Sequence, residues 1–242
     1  MKKLLIVLFL VAGLAEMGQS QTFLKDLKKK VTNSGSEGSN LSSDEIISGL
    51  KQALTLGAQK SADRLSAVDG FFKDAAVKVL LPPQAQNVEK TLRSLGMGKL
   101  VDDAILSMNR AAEDASKSAA PIFVDAVKKM TVQDGLGILR GADTAATGYL
   151  RKTTSPELTT AFHPVIDSSL QKTGATKYWK TVFDTYNKLP TTFTKVDPDL
   201  ASFVTQKAMD GIFYYVAQEE KKIRKDPAAQ VTDLLKKVFG GK

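Results

Sequence analysis

The sequence predicts an all-α protein, a single orthogonal bundle of about nine to eleven helices. Apolar residues recur every three or four positions along most of the 242 residues, as on the buried face of a helix. Start and stop signals for helices separate these segments. No stretch shows the sustained alternation of apolar and polar residues that is typical of a half-buried strand. With 43% apolar residues, the chain is long enough to bury a sizeable core.

The first twenty residues have the pattern of a secretory signal peptide and are set apart from the fold. Two lysines precede an apolar run from Leu4 to Ala15, and Gly18 and Ser20 supply small residues before the expected cleavage point. This run is too short to span a bilayer, and no later segment reaches about 18 uninterrupted apolar residues. We therefore expect a periplasmic or secreted protein, cleaved near Ser20 or, as a second choice, after Ala15.

Residues 21–40 are expected to form a basic helix and a linker, ahead of a helical domain at 41–242. Phe23–Val31 places apolar residues on one side of a helix, and Asn33–Asn40 is rich in serine and glycine, as flexible tethers are. The helix is suited to peripheral contact with a membrane. Its cationic residues are Lys25, Lys28, Lys29 and Lys30.

The domain is predicted to begin with a long helix whose start is marked by Ser42 and Glu45, the spacing of a capping box. Residues 68–83 then interrupt the helical spacing. Their apolar content predicts a loop that lies against the core, with a short strand-like piece at Val77–Leu81. Helices are expected next at about 84–95, ending at Gly96, and at 99–116.

The stretch Thr131–Ser155 is predicted to contain two short helices that meet at Gly141. Thr131 and Asp134 form a second capping-box pattern, and Gly141 is expected to end the first helix in a left-handed conformation. Asp143 is the expected cap of the next helix. An exposed helix start beside hydroxyls and arginines would suit a phosphate or carboxylate. The candidate ligand-binding residues are Arg110, Arg140, Asp143, Thr144, Thr147 and Arg151.

An ordinary structural role for this stretch is the alternative. Gly135, Gly137 and Gly148 would then permit close helix crossings, and Asp143 would cap a helix and pair with an arginine. The spacing matches neither a phosphate-binding loop nor a dinucleotide fingerprint, because no lysine follows the last glycine and no strand precedes it.

Prolines divide the rest of the chain into further expected helices. Ser155-Pro156 is a start signal, and Pro164 should kink or end that helix near His163. An aromatic-rich helix follows at 178–186. The helix that starts near Pro198 is expected at the centre of the core, and its charged end should be solvated, with Glu220 and Arg224 paired. A last amphipathic helix is expected at 227–239.

The residue inventory excludes several classes of chemistry. The chain has no cysteine and one histidine, so disulfides, thiolate nucleophiles and the usual zinc sites are not expected, and a Ser-His-Asp triad would need His163. We expect no metal, cofactor or catalytic residue. Nucleic acid is not an expected partner, because acidic residues interleave with the basic ones. Without residues 1–20 the net charge falls from +8 to +7.

Four strings carry a resemblance to a known family. They are SMNRAAEDA at 107–115, PIFVDAVKKMT at 121–131, GILRGADTAAT at 137–147 and VTQKAMDGIFYYVAQEEKKIRKDPA at 204–228. The chain from about Leu41 to Phe239 resembles an uncharacterised family of exported bacterial proteins, domain of unknown function 4197. The resemblance implies a bacterial envelope protein and brings no activity, ligand or catalytic residue with it.

Three functions remain open from the sequence. The leading one is a non-enzymatic envelope protein that binds an anionic or amphiphilic ligand or a protein partner. The second is a hydrolase or transferase that uses carboxylates, Asp143 or Glu113 with Arg110, which requires two carboxyl groups and an arginine to meet in one cleft. The third is a peripheral membrane scaffold held by the basic helix at Phe23–Val31.

Overall fold

The computed structural model describes residues 42–186, 195, 199–226 and 236, which all belong to one compact unit, Leu41–Lys242. Within these residues there are eight α-helices and no strand, which confirms the all-α class but not the expected nine to eleven helices. The basic helix expected at Phe23–Val31 lies outside the described residues, and so does the last helix expected at 227–239 except for residue 236. The helices are α1 (Ser43–Ser66), α2 (Gln86–Ser94), α3 (Gly98–Ser116), α4 (Ala119–Lys129), α5 (Val132–Arg140), α6 (Ala145–Lys172), α7 (Ala175–Tyr186) and α8 (Leu200–Lys225).

Helix α6 runs through both of its prolines, so the start expected at Ser155-Pro156 and the helix end expected as one alternative near His163 are wrong. A proline inside a helix removes a hydrogen bond and costs about 3 kcal/mol. Tertiary packing offsets this cost, because five large apolar side chains along one face of α6 are fully buried. They are Leu150, Leu158, Phe162, Ile166 and Leu170.

The core is centred on α6 and α8. These two helices pack against each other, and α8 also packs against α1 and α3, which confirms its expected central place. Phe213 of α8 is buried and meets Phe123 of α4 edge-to-face, with ring centroids 5.6 Å apart. Tyr214, however, is 41% exposed, so the apolar face of α8 does not extend around the whole helix.

Both predicted capping boxes are present at helix starts. The backbone N–H of Glu45 donates to Ser42 Oγ at 3.2 Å, and that of Asp134 donates to Thr131 Oγ1 at 3.1 Å. Helix α5 ends at Gly141 as expected. The backbone of Gly141 is extended, with φ −80° and ψ −179°, so the predicted left-handed conformation is wrong.

Helices α1 and α5 cross closely at Gly135. A Cβ atom at Gly135 would lie 2.3 Å from Ile47 Cδ1, so a side chain there would require the end of the Ile47 side chain to move. Gly137 and Gly148 have no described atom within 4 Å of such a Cβ position. The expected close crossing is therefore confirmed at Gly135 alone of the three glycines.

The loop between α1 and the short 3₁₀ turn Pro83–Ala85 lies against the core, as predicted. Phe71, Val77 and Val79 are buried, whereas Val68 and Leu80 are exposed. The strand-like piece expected at Val77–Leu81 is not found, since Val77 lies in a turn and residues 78–81 have no regular secondary structure. No helix within the described residues combines the length and apolar content needed to cross a membrane.

Candidate functional site

A buried carboxylate from α8 caps the first turn of α6. Glu220 Oε1 accepts from the backbone N–H of Ala146 at 3.0 Å, and Oε2 accepts from the N–H and the hydroxyl of Thr147, both at 2.8 Å. Arg224 donates Nε and Nη2 to Glu220 Oε1 at 3.1 and 2.9 Å, and Nη2 also donates to the carbonyl of Ile138 at 2.9 Å. The side chains of Glu220 and Arg224 are 4% and 9% exposed.

The helix start that the sequence predicts as an anion site therefore already holds an anion, the protein's own Glu220. Unpaired N–H groups and the positive end of the helix dipole favour a carboxylate there. The predicted pairing of Glu220 with Arg224 is confirmed, but the solvated setting is wrong because both side chains are buried. The sequence indicates that Glu220 is buried, because Glu220 continues the helical spacing of Val216 and precedes Ile223. It therefore falls on the buried face of α8.

The six predicted ligand-binding residues have separate surroundings. Thr147 alone of them bonds Glu220. Asp143 does not cap α6: Thr144, which is exposed, holds that position without a side-chain bond, and Asp143 pairs with Lys225. The guanidinium of Arg151 lies 4.4 Å from the ring centroid of Phe213. Arg140 is exposed at the end of α5, and Arg110 lies at the loop described next.

Side chains of α3 hold the loop at residues 67–82. Glu113 Oε1 accepts from the backbone N–H groups of Phe71 and Phe72, both at 3.1 Å. Its Oε2 accepts from Arg110 Nη1 at 2.6 Å, and Arg110 Nη2 donates to Asp69 Oδ1 at 2.7 Å. Asp69 has a positive φ of 69°, and its pKa is lowered by Lys73 and Arg110.

Asn109 performs for Val79 the role of a neighbouring strand. Asn109 Oδ1 accepts from the backbone N–H of Val79, and Nδ2 donates to the Val79 carbonyl, both at 2.8 Å. Asn109 is fully buried. Buried backbone groups need partners, and one amide side chain supplies both.

Two carboxyl groups and an arginine thus converge at Asp69, Arg110 and Glu113, the geometry that the carboxylate-enzyme hypothesis requires. A general acid or base must reach the substrate's proton. Glu113 is buried, and both of its oxygens accept hydrogen bonds from the protein. The arrangement supports a loop anchor better than an acid–base pair. Arg110 pairs with Glu113 three residues later on the same helix, while Asp114 pairs with Lys117.

The solvent side of this loop is an open, charged depression of about 510 Å³. Arg64 pairs with Asp74 at 2.9 Å, and Asp74 also accepts from the Tyr215 hydroxyl. Burial raises the pKa of Asp74, but the hydrogen bonds from Tyr215 and Arg64 outweigh it, so the pKa is lowered overall. Burial and the bond to Asp74 raise the pKa of Tyr215 to about 12. These pairs leave the charges in the depression locally balanced.

His163 lies beside the start of α8. Its Nε2 is 3.5 Å from Ser202 Oγ, and Ser202 donates its hydroxyl to Asp199 Oδ2 at 2.7 Å. In a catalytic triad the carboxylate orients the histidine and the serine bonds the histidine. Here the carboxylate holds the serine as part of the α8 cap, which fits a structural role. Among the described residues, no three His, Asp or Glu side chains are grouped to hold a metal ion.

An apolar cavity of about 70 Å³ lies between α2, α3, α7 and the start of α8. Glu89 is the ionisable residue in its wall, and Arg93 joins Glu89 to Asp102 of α3 at 2.9 and 2.8 Å. Sequence reasoning missed this cavity, since its walls come from positions far apart in the chain that each resemble ordinary core. The lining residues are Leu81, Ala85, Val88, Glu89, Leu92, Leu100, Val101, Ala104, Met108, Ala175, Trp179 and Leu200.

The fold and these sites define a small all-α domain whose buried ionic groups hold its loop and a helix end, and which carries an apolar cavity beneath α2. Residues 40–240 match the family described as protein of unknown function (DUF4197), and the chain belongs to that family. This confirms the family resemblance. No curated protein and no solved structure matches the chain.

Proposed function

We propose that this is an exported, non-enzymatic binding protein that takes the apolar end of an amphiphilic small molecule into the cavity between α2, α3, α7 and α8. The observation that carries the proposal is the apolar lining of this cavity, in which Glu89 is the ionisable residue. Ligand sites are usually concave and apolar, with few polar groups that fix orientation. Export rests on the signal-peptide pattern of residues 1–20.

The volume of the cavity sets the size of the group that fits. A water molecule takes roughly 30 Å³ of liquid, so about 70 Å³ admits two or three methylene-sized groups. Each buried methylene contributes about 0.8 kcal/mol, or about 2 kcal/mol in total. That energy corresponds to roughly thirtyfold in affinity. The polar part of the ligand would remain at the rim, near the ion pairs of Arg93.

The other functions have weaker support. Glu220 fills the helix start that an anionic ligand would need, and Glu113 is committed to the loop. The membrane-scaffold hypothesis depends on Lys25, Lys28, Lys29 and Lys30, which lie outside the described residues. A protein partner could also contact an apolar cavity. The volume of this cavity, however, suits a single small apolar group.

Titration with short-chain amphiphilic probes, hexanoate and hexyl maltoside, tests the proposal, because their terminal methylene groups match the volume of the cavity and Trp179 in its wall reports binding by fluorescence. Ala104→Phe places a ring in the cavity and should weaken probe binding by roughly thirtyfold. Ala76→Phe is the matched control, since Ala76 is exposed on the loop, and it should bind as the natural protein does. Absence of binding, or equal binding by the two variants, would overturn the proposal.

A further inference from the structure

Helix α2 lies on the outside of the domain. All of its residues are described, and none of them is buried. It packs on α3 and on the turn Pro83–Ala85. Its apolar side chains Val88 and Leu92 are half-buried and form one wall of the cavity. The cavity is therefore bounded on this side by a helix that contacts the core through two half-buried side chains.

The connection between α2 and α3 turns at a single glycine, Gly96. Gly96 has a φ of +78°, a conformation that favours glycine, and no described atom lies within 4 Å of its Cβ position. The backbone N–H of Met97 donates to the Leu92 carbonyl at 2.9 Å, and that of Gly96 donates to the Arg93 carbonyl at 3.1 Å. These bonds end α2 locally, without help from the core. At its other end, α2 follows Pro82-Pro83.

An ion pair ties the outer side of α2 to α3. Arg93 Nη2 lies 2.8 Å from Asp102 Oδ1, while Arg93 Nε bonds Glu89 one turn earlier on α2. Arg93 thus joins a carboxylate of its own helix to one of the neighbouring helix. Lys99 and Asp103 form the contrasting case, because both belong to α3.

We propose that α2 is a lid over the apolar cavity, hinged at Gly96 and held closed by the ion pair between Arg93 and Asp102. This inference rests on the proposed function, since it describes how the same cavity admits its ligand. Closed, the cavity has room for two or three methylene-sized groups. Outward rotation of α2 removes the wall formed by Val88 and Leu92, and so gives a longer apolar chain a path inward.

The full-length protein and two single variants test the lid. Asp102→Asn removes the cross-helix ion pair, and Asp103→Asn removes the same charge one residue later without touching α2. Hydrogen exchange of the α2 amides should be about two- to fivefold faster in Asp102→Asn, the range expected for one exposed ion pair. Asp103→Asn should leave α2 exchange unchanged.

Stopped-flow dissociation of hexyl maltoside, followed by the fluorescence of Trp179 in the cavity wall, supplies the second measurement. The dissociation rate should rise by the same factor in Asp102→Asn and stay unchanged in Asp103→Asn. Added salt should speed release in the natural protein and in Asp103→Asn more than in Asp102→Asn, because salt screens the exposed pair. Equal α2 exchange in both variants would overturn the lid. Faster α2 exchange without any probe binding would support the lid but overturn the proposed function.

Discussion

Removing the carboxylate of Glu220 should cause a large loss of stability. Glu220→Ala takes the acceptor away from two backbone N–H groups and a hydroxyl of α6, and leaves Arg224 buried without this partner. A buried donor without an acceptor costs about 1–3 kcal/mol. Breaking a buried ion pair from one side typically costs about 3–5 kcal/mol. We expect the free energy of unfolding to fall by about 3–5 kcal/mol.

Denaturant unfolding, followed by circular dichroism, measures this loss directly. For a domain of this size, about 1 kcal/mol corresponds to roughly 2–4 °C in Tm, so we expect a fall of roughly 6–20 °C. Glu219→Ala is the matched control, with the same residue type at the preceding, half-exposed position. It should change stability by less than about 0.5 kcal/mol. If the free energy of unfolding of Glu220→Ala lies within about 1 kcal/mol of that of Glu219→Ala, the stabilising role of the buried Glu220 carboxylate is refuted.

Chemical rescue separates the role of the carboxylate from that of general packing. Glu220→Ala vacates an anion site at the start of α6, so acetate should restore part of the lost Tm in this variant and leave the natural protein unaffected. Equal effects of acetate on both proteins would show that the α6 N–H groups do not bind the anion.

Two further predictions concern the loop at residues 67–82. Asn109→Ala leaves both backbone groups of Val79 without their partner and should lower the free energy of unfolding by about 2–4 kcal/mol. A loss below about 1 kcal/mol would contradict this. The raised pKa of Tyr215 stabilises the fold below pH 10, and this contribution should disappear as pH rises towards about 12. In denaturant unfolding measured across this pH range, Tyr215→Phe should lose less stability than the natural protein. If stability depends on pH identically in the two proteins, Tyr215 is not the source of the alkaline loss.

Local chemistry allowed much of the fold to be predicted. Capping boxes depend on residues three positions apart, so Ser42 with Glu45 and Thr131 with Asp134 mark helix starts without any tertiary information. Helix α5 likewise ends at Gly141 as predicted, although through extended backbone and not the left-handed conformation. The all-α class follows from apolar spacing, which repeats along the whole chain. Local rules failed at Pro156 and Pro164, where the buried face of α6 supplies more energy than the prolines remove.

The candidate sites were less predictable, because their partners are distant in sequence. Glu220 lies 73 residues from Thr147, and Glu113 lies 42 residues from Phe71. Spacing within one helix indicates that Glu220 faces inward, but not which helix start it meets. The cavity depends on four helices and combines side chains that each resemble ordinary core.

The sequence by itself determined the helical class, most helix starts and the family, since these depend on neighbouring residues or on the order of residues along the chain. Only the tertiary structure decided that Glu220 fills the start of α6, that Asn109 substitutes for a strand at Val79, and that α2 covers an apolar cavity. The physical reason is that buried polar groups and cavities are properties of surfaces that meet, and helix packing determines which surfaces meet.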